Sequence, residues 1–486
     1  MGIVINQSVK NLIFTYIGFA IGAMNTMFLY PYIMDDQYYG LVAVLLSTAM
    51  IFYPLLSLSM GNSIIRFYPH YQSKSEKNKF ISFTFIFPLL AILPFFILFS
   101  IFGEQINNLL SNKSELVKDY TVYILIYAVF IGYFEVFYSF AKVQFKSVFG
   151  NVLKEISIRV FVTFLIALLY FNVISDDGFI FWLAIGYGVR TLVMAIYSIS
   201  ISDFKFSFQS FSKYKKVISF SIFVIVASSV SQTVIEIDKF MISQYIDLSN
   251  VAYYAVGGFI GIVVSVPGRA MQQILAPFVS KALSDGNFAE VNLLYKKSSI
   301  NLLVVSGLIF VLIAVNVKFL YMLLPVEFKG GEYVAIIIAF GKLFDMVTGI
   351  NGTIITNSKY YRFDLLFSLI LLVLTIGLNM IFIPVLGMLG ASIATGLSIV
   401  FYNLMKLIFV KLKFGHYPFT LNSLLVFMLI LLLTVTFYIL PLLVNPILSI
   451  FLYSSIIGIL YLMSIIYIKP SDEINTILVK YLPFLK

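Results

Sequence analysis
The chain has 486 residues, of which 61% are hydrophobic and only 11% charged, and its mean hydropathy is +1.00. A water-soluble domain carries roughly 25% charged residues, so this composition excludes a soluble globular protein and points to serial membrane spans. Cysteine is absent, which removes disulfides, thiolate metal sites and thiol nucleophiles. The net charge of +10 does not require a nucleic-acid partner once the charges are placed along the chain.

The apolar runs have the length that crosses hydrocarbon, about 20 residues. Runs this continuous satisfy their own backbone groups as helices. In chain order the predicted spans are 10–33, 40–65, 81–102, 120–140, 156–174, 178–201, 217–245, 251–276, 299–324, 333–356, 363–385, 388–411, 421–441 and 447–468. The first reads as an uncleaved span, because Lys10 is its only early cation and no small-residue cleavage site follows. Lys113, Lys118, Lys318 and Lys329 fall in outer loops, and Arg190, Lys239, Arg269 and Lys342 lie within spans. The other lysines and arginines fall on the inner side when the N-terminus is cytoplasmic. This is the positive-inside bias, so the basic balance is topological. An even number of spans puts both termini in the cytoplasm.

The expected architecture is an all-α membrane protein with about fourteen transmembrane helices. Residues 1–201 form a six-helix lobe, 202–216 a cytoplasmic linker, 217–411 a second six-helix lobe, and 412–486 an extra helix pair with a cytoplasmic tail. Span 2 opens after Tyr38-Tyr39-Gly40 and closes at Arg66-Phe67-Tyr68-Pro69. Span 8 opens at Tyr253-Tyr254-Ala255 and closes at Leu275-Ala276-Pro277. Pseudo-symmetric lobes of this kind hold substrate between them near the midplane. Pro54, Pro88, Pro94 and Pro267-Gly268 interrupt spans, which is tolerated where neighbours or a watery cavity satisfy the freed backbone.

Charges inside the hydrocarbon mark candidate sites, because each is costly to bury. Arg190 sits about twelve residues from either end of span 6, roughly 18 Å of helix, too far to snorkel. It reads as a cation facing a central cavity, against the alternative of an arginine held by backbone carbonyls or an acid. Arg269 and Arg66 lie nearer the inner face, where headgroups can satisfy them. Lys342 and Asp345 share a face of span 10 and can neutralise each other; a substrate or ion-coupling site is the sharper alternative. Span 7 carries Glu236, Asp238 and Lys239, either as a proton- or sodium-binding gate or as a structural pair of Glu236 with Lys239. The two histidines, His70 and His416, fall in cytoplasmic loops. That placement argues against a membrane enzyme using an intramembrane imidazole. No Walker, dinucleotide or zinc motif is present, so no cofactor is expected.

Several stretches together resemble the polysaccharide and O-antigen flippase family, which shares a superfamily with multidrug-and-toxin extruders and lipid II flippases. They are Tyr39-Gly40-Leu41 with Ile65-Arg66-Phe67-Tyr68-Pro69; Asp238-Lys239-Phe240-Met241-Ile242 with Val251-Ala252-Tyr253-Tyr254; Ala276-Pro277-Phe278-Val279-Ser280-Lys281; and Asn379 through Ile383-Pro384, Gly387, Gly390-Ala391 and Ala394-Thr395. The resemblance implies a non-enzymatic transporter in the bacterial inner membrane. Its cargo would be an undecaprenyl-pyrophosphate-linked oligosaccharide for lipopolysaccharide O-antigen or another surface polysaccharide, moved from inner to outer leaflet by alternating access. Partner glycosyltransferases or a glycan polymerase would supply and consume the cargo. On that reading Arg190, Arg269, Lys342 and Arg66 are the candidate substrate contacts. Asp238, Glu236 and Asp345 are the candidates for a coupled proton or sodium ion. The competing expectations are a proton- or sodium-coupled drug antiporter of the same fold, a polysaccharide-modifying membrane enzyme, and a non-transporting scaffold.

Overall fold
The computed structural model describes residues 2–110, 113–207, 211–440 and 445–481, and all regular structure among them is helical. By contact the chain forms two compact units, Met1–Ala252 and Tyr253–Lys486. The first contains α1 (Gly2–Met24), α2 (Asp36–Leu56), α3 (Met60–Phe67), α4 (Lys74–Ile86), α5 (Leu89–Leu110), α6 (Glu115–Val143), α7 (Ile158–Tyr170), α8 (Asp176–Ser200) and α9 (Lys215–Tyr245). The second contains α10 (Ser249–Ile262), in whose first turn the boundary falls, then α11 (Val266–Ser284), α12 (Phe288–Tyr321), α13 (Gly331–Val347), α14 (Asn351–Asn357), α15 (Tyr361–Leu386), α16 (Met388–Phe414), α17 (Leu421–Ile439), α18 (Pro446–Ile468) and α19 (Asp472–Tyr481). The sequence places a seam in the linker 202–216, of which residues 208–210 lie outside the described residues. By contact, α9 groups with the first unit, where it packs along α2.

Twelve helices among the described residues are long and apolar enough to cross a membrane, or thirteen if α13 and α14, bent by 54°, form one span. The remaining predicted span, 156–174, contains α7, which at 13 residues is too short to cross alone. It does not stand alone: helix runs unbroken from Ser147 through a π turn at Leu153–Ser157 into α7. The surface carries the inversion expected in lipid, with Ile101, Val173, Val373, Val385 and Ile439 turned outward.

In the first unit α6 is the central helix, packed by α2, α3 and α8. The buried Tyr127 hydroxyl donates to the Ile180 carbonyl at 2.9 Å and fixes α6 to α8. Near the N-terminal ends of α2, α6 and α8 the Tyr38 hydroxyl donates to Asp177 at 2.8 Å, and the Tyr120 hydroxyl donates to the same carboxylate, tying the three helices together. In the second unit α12 is the central helix, packed by α13, α17 and α18. Tyr461 donates to the Val304 carbonyl at 2.8 Å and Asn316 to Ser454 at 3.1 Å, which seat α18 on α12.

Spans 2 and 8 are both broken. Pro54 cannot continue the ladder of α2, and Leu58 and Ser59 follow with φ of 49° and 47° before α3 begins. Left-handed backbone at two consecutive non-glycine residues is strained and persists only where the surroundings impose it; here the Ser221 hydroxyl of α9 donates to the Leu58 carbonyl. In the second unit a 3-10 turn at Val263–Ser265 separates α10 from α11, whose first turn holds Pro267. Paired interruptions of this kind mark the functional region in transporters with internal repeats.

Two motif glycines owe their identity to close backbone approach. A Cβ at Gly40 would collide with the Leu248 carbonyl, and a Cβ at Gly390 would collide with the Phe382 carbonyl. Gly387, with φ of 59° and ψ of −137°, turns the chain from α15 into α16 in a conformation reserved for glycine. Gly390→Ala is therefore expected to destabilise the second unit by about 1–3 kcal/mol, because the obstructing atoms are backbone and cannot rotate away. Thermal or denaturant unfolding of the purified protein in detergent measures this, and unchanged stability would contradict the close approach.

Candidate functional site
Arg190 lies near the middle of α8 and is 9% exposed. Its guanidinium sits 4.2 Å from the centroid of the Phe134 ring and 4.7 Å from that of Tyr187. It makes no hydrogen bond or ion pair among the described residues, and its buried Nε has no partner. A charged donor left unpaired in a low-dielectric site is costly, so the cation is not consumed in holding the fold together. The ring faces supply part of its stabilisation through their quadrupoles.

Around Arg190 the first unit gathers charges that look like ordinary inner-face residues in the sequence. Glu135 of α6 accepts a hydrogen bond from Lys154 at 2.5 Å and feels the charges of Lys142 and Arg190. Lys142, about two helical turns further on, rests 3.9 Å from the Tyr138 ring centroid. Arg159 donates from Nη1 to the Glu155 carboxylate at 2.9 Å and to the Glu155 carbonyl at 2.6 Å. The carbonyl contact is possible because Glu155 lies in the π turn, where the regular i→i+4 ladder is relaxed.

The neighbouring helix is shaped to receive Arg159. Gly18 and Gly22, one turn apart on α1, lie against its side chain: a Cβ at Gly18 would come within 2.6 Å of Nη1, and one at Gly22 within 3.0 Å of Nε. Asn25 opens a second π turn, Asn25–Leu29. Its amide donates to the Arg159 carbonyl at 2.8 Å, and its side-chain oxygen accepts from Thr163 at 2.8 Å. Four cations, Lys142, Lys154, Arg159 and Arg190, thus stand against two carboxylates, Glu135 and Glu155, within one membrane-embedded region. Such a region has positive charge to spare for an anion, and its arginines present paired donors suited to phosphate oxygens.

Of the other candidates, Glu236 comes within electrostatic reach of Tyr187, the ring beside Arg190, and the rest are dispersed. Arg66 is exposed at the C-terminal end of α3, stacked 4.3 Å from the Phe220 ring centroid. Arg269 is exposed on α11. Lys342 and Asp345 are half-buried on α13 and, contrary to the expected neutralising pair, form no ion pair among the described residues. In this pair the cation precedes the acid, the less favourable order along a helix. Glu236 and Lys239 do pair, at 2.7 Å, and Asp238 is buried on α9. In the second unit Lys406 is also buried, 4.3 Å from the Tyr402 ring centroid and beside Gly352 at the start of α14. No group of three or more histidines and carboxylates converges on a metal position among the described residues.

Comparison with known proteins gives this arrangement its context. The model of the family described as "Polysaccharide biosynthesis protein" matches residues 8–284, more than half of the chain. No curated protein sequence gives a significant match. Among solved structures, the chain is similar to the lipid II flippase MurJ in an inward closed conformation, with TM-score 0.69 and 19% identity over 95% of this chain and 100% of that one. It is also similar to an inward-facing multidrug resistance MATE family transporter of the MOP superfamily, with TM-score 0.64 and 13% identity over 82% of this chain and 94% of that one. An outward-facing MATE transporter gives TM-score 0.57 and 14% identity over 85% and 95% of the two chains. At these identities the structural likenesses establish the fold alone, whereas the family match reaches through both π turns, all of the first-unit charge cluster and the broken spans 2 and 8. The chain is a multi-pass membrane protein of the polysaccharide biosynthesis protein family, with a fold similar to those of MurJ and the MATE transporters.

Proposed function
We propose that the protein is a flippase that carries an undecaprenyl-pyrophosphate-linked oligosaccharide, an O-antigen or similar surface-polysaccharide repeat unit, from the inner to the outer leaflet of a bacterial inner membrane. The observation that carries this reading is the sign of the first-unit cluster, four cations against two carboxylates at membrane depth. A pyrophosphate cannot cross hydrocarbon bare, and Arg190 offers it a charge that no protein carboxylate has claimed. The family membership and the fold shared with a lipid II flippase support the same cargo class. Alternating access then exposes the cluster to each side in turn, with both termini cytoplasmic as the positive-inside bias indicates.

With the cell interior negative, exporting each anionic charge gains about 2.3 kcal/mol per 100 mV, so membrane potential alone can drive the cycle. A coupled proton or sodium ion would fall to Asp238, Glu236 or Asp345. The fold shared with MATE transporters makes a cation antiporter the competing reading, and the excess of positive charge weighs against a cationic cargo.

Purified protein in vesicles, given a fluorescent polyprenyl-pyrophosphate oligosaccharide, is expected to move the label from one leaflet to the other at a rate that rises with an inside-negative potential. Failure to move it, together with proton- or sodium-driven efflux of small cations, would replace the flippase reading with the antiporter. Failure of both activities would leave a scaffold.

A further inference from the structure
Besides the cationic cluster, the first unit contains an apolar groove of about 430 Å³ between α8 and the helix that runs from the π turn through α7. Ser157, Phe161 and Phe164 line one wall, and Trp182, Val189 and Arg190 the other. Phe161 closes the floor by packing onto Gly186, where a Cβ would collide with its ring. The mouth opens outward, since Phe164, Trp182 and Val189 are 55%, 43% and 54% exposed on helices whose surroundings are lipid. The lining runs from Leu153 to Leu168 along its helix, which at 1.5 Å per residue is roughly 22 Å, most of the depth of a hydrocarbon core.

We propose that this groove holds the polyprenyl tail of the cargo during transit, with the pyrophosphate drawn to Arg190. The inference rests on the flippase reading and adds to it where the tail goes. Arg190 is the one charged residue in the groove wall, and its guanidinium is without a hydrogen-bond partner among the described residues. Everything else the groove presents is apolar side chain apart from Ser157, whose hydroxyl is already donated to the Leu153 carbonyl at 2.6 Å. One positive charge at the edge of a long apolar slot matches a ligand with one anionic group at the end of a long apolar chain. A bilayer phospholipid does not satisfy both ends. Its phosphate stays at the interface, and Arg190 lies ten residues from the inner end of α8, roughly 15 Å along the helix. A cargo whose phosphate crosses the midplane passes that level and can engage both.

Trp182 is the sole tryptophan of the chain and stands in the groove wall, so it reports occupancy directly. In vesicles of phosphatidylcholine with brominated acyl chains, Trp182 fluorescence of the unliganded protein is expected to be quenched. Polyprenyl pyrophosphate should displace the brominated chains and restore emission at least two-fold, at concentrations at least ten-fold lower than polyprenol requires. Inorganic pyrophosphate should have no effect. Arg190→Gln should raise the polyprenyl pyrophosphate requirement to that of polyprenol, and Val189→Phe, which fills the slot from an exposed position, should abolish recovery with either lipid. Equal potency of polyprenol and its pyrophosphate in the wild-type protein would overturn the proposal and leave a groove for ordinary lipid chains. Binding of polyprenyl pyrophosphate measured separately, with no recovery of Trp182 emission, would overturn the groove while sparing the flippase reading. No binding at all would remove both.

Discussion

Arg190→Ala is expected to cut the rate of lipid-linked oligosaccharide movement by about 100-fold while leaving the protein folded and inserted. Hydrogen bonds to charged groups contribute about 1.5–3 kcal/mol each, and each 1.4 kcal/mol is about ten-fold, so losing one to two bonds from a guanidinium to a pyrophosphate predicts a change of this order. The fold should survive because Arg190 is not part of its ionic bracing. Glu135 keeps Lys154, and Glu155 keeps Arg159. The variant loses the stacking on Phe134 and Tyr187, worth about 0.5–2 kcal/mol, but is also relieved of an unpaired buried donor, so the net change in stability is small. Arg190→Lys keeps the charge and loses the planar fork, and is expected to fall between wild type and alanine. Flipping rates in vesicles, measured beside thermal unfolding of the same preparations, separate transport from folding. Wild-type transport by Arg190→Ala would remove the arginine from the cargo path.

How much of this was legible in the sequence depends on which residue is asked about. Arg190 was legible because its depth follows from counting residues to both ends of an uninterrupted apolar run, and α8 has the expected extent. Arg159 was not. It lies three residues inside the predicted span 156–174 and so looks like an ordinary inner-face cation. The helix in fact begins at Ser147, which puts Arg159 twelve residues in, at a depth of roughly 18 Å. Lys146, Ser147, Asn151, Lys154 and Glu155 make that first stretch look like loop by hydropathy, and a π turn leaves no signature in a hydropathy pattern. Glu135 did leave a signal, a lone acid eight residues from the inner end of α6, and its partner Lys154 could be found only from the tertiary packing.

The glycines show a different limit. Gly40 and Gly390 carried the family resemblance by their position in a pattern, but the reason for each is a carbonyl from elsewhere in the chain, Leu248 in one case and Phe382 in the other. Gly18 and Gly22 have the spacing of a helix-packing motif, and only the structure shows that the groove they leave takes the Arg159 side chain beside both glycines and the Glu155 backbone beside Gly18. For Lys342 and Asp345 the helical spacing permits an ion pair that the structure does not form, because spacing alone does not supply the energy to hold it.

The arrangement on α1 sets up the second large effect. Arg159→Ala is expected to abolish transport and also to destabilise the first unit by about 1–3 kcal/mol, the penalty for leaving a charged partner without its hydrogen bond. Arg159 and Glu155 are 30% and 20% exposed, which keeps the figure below that of a fully buried pair. The stability loss has two sources: Glu155 is left uncompensated at membrane depth, and a void opens against Gly18 and Gly22. Adding Glu155→Ala removes the first source, so the double variant should recover part of the lost stability. It should recover none of the transport if Arg159 serves the cargo, because the cluster then holds Lys142, Lys154 and Arg190 against Glu135 alone and lacks the guanidinium beside α1. Unfolding midpoints and flipping rates of the two single variants and the double variant form a complete cycle. Transport that returns together with stability would show that Arg159 acts only as a brace between α1 and the π turn, and the phosphate path would then pass through Arg190 without it.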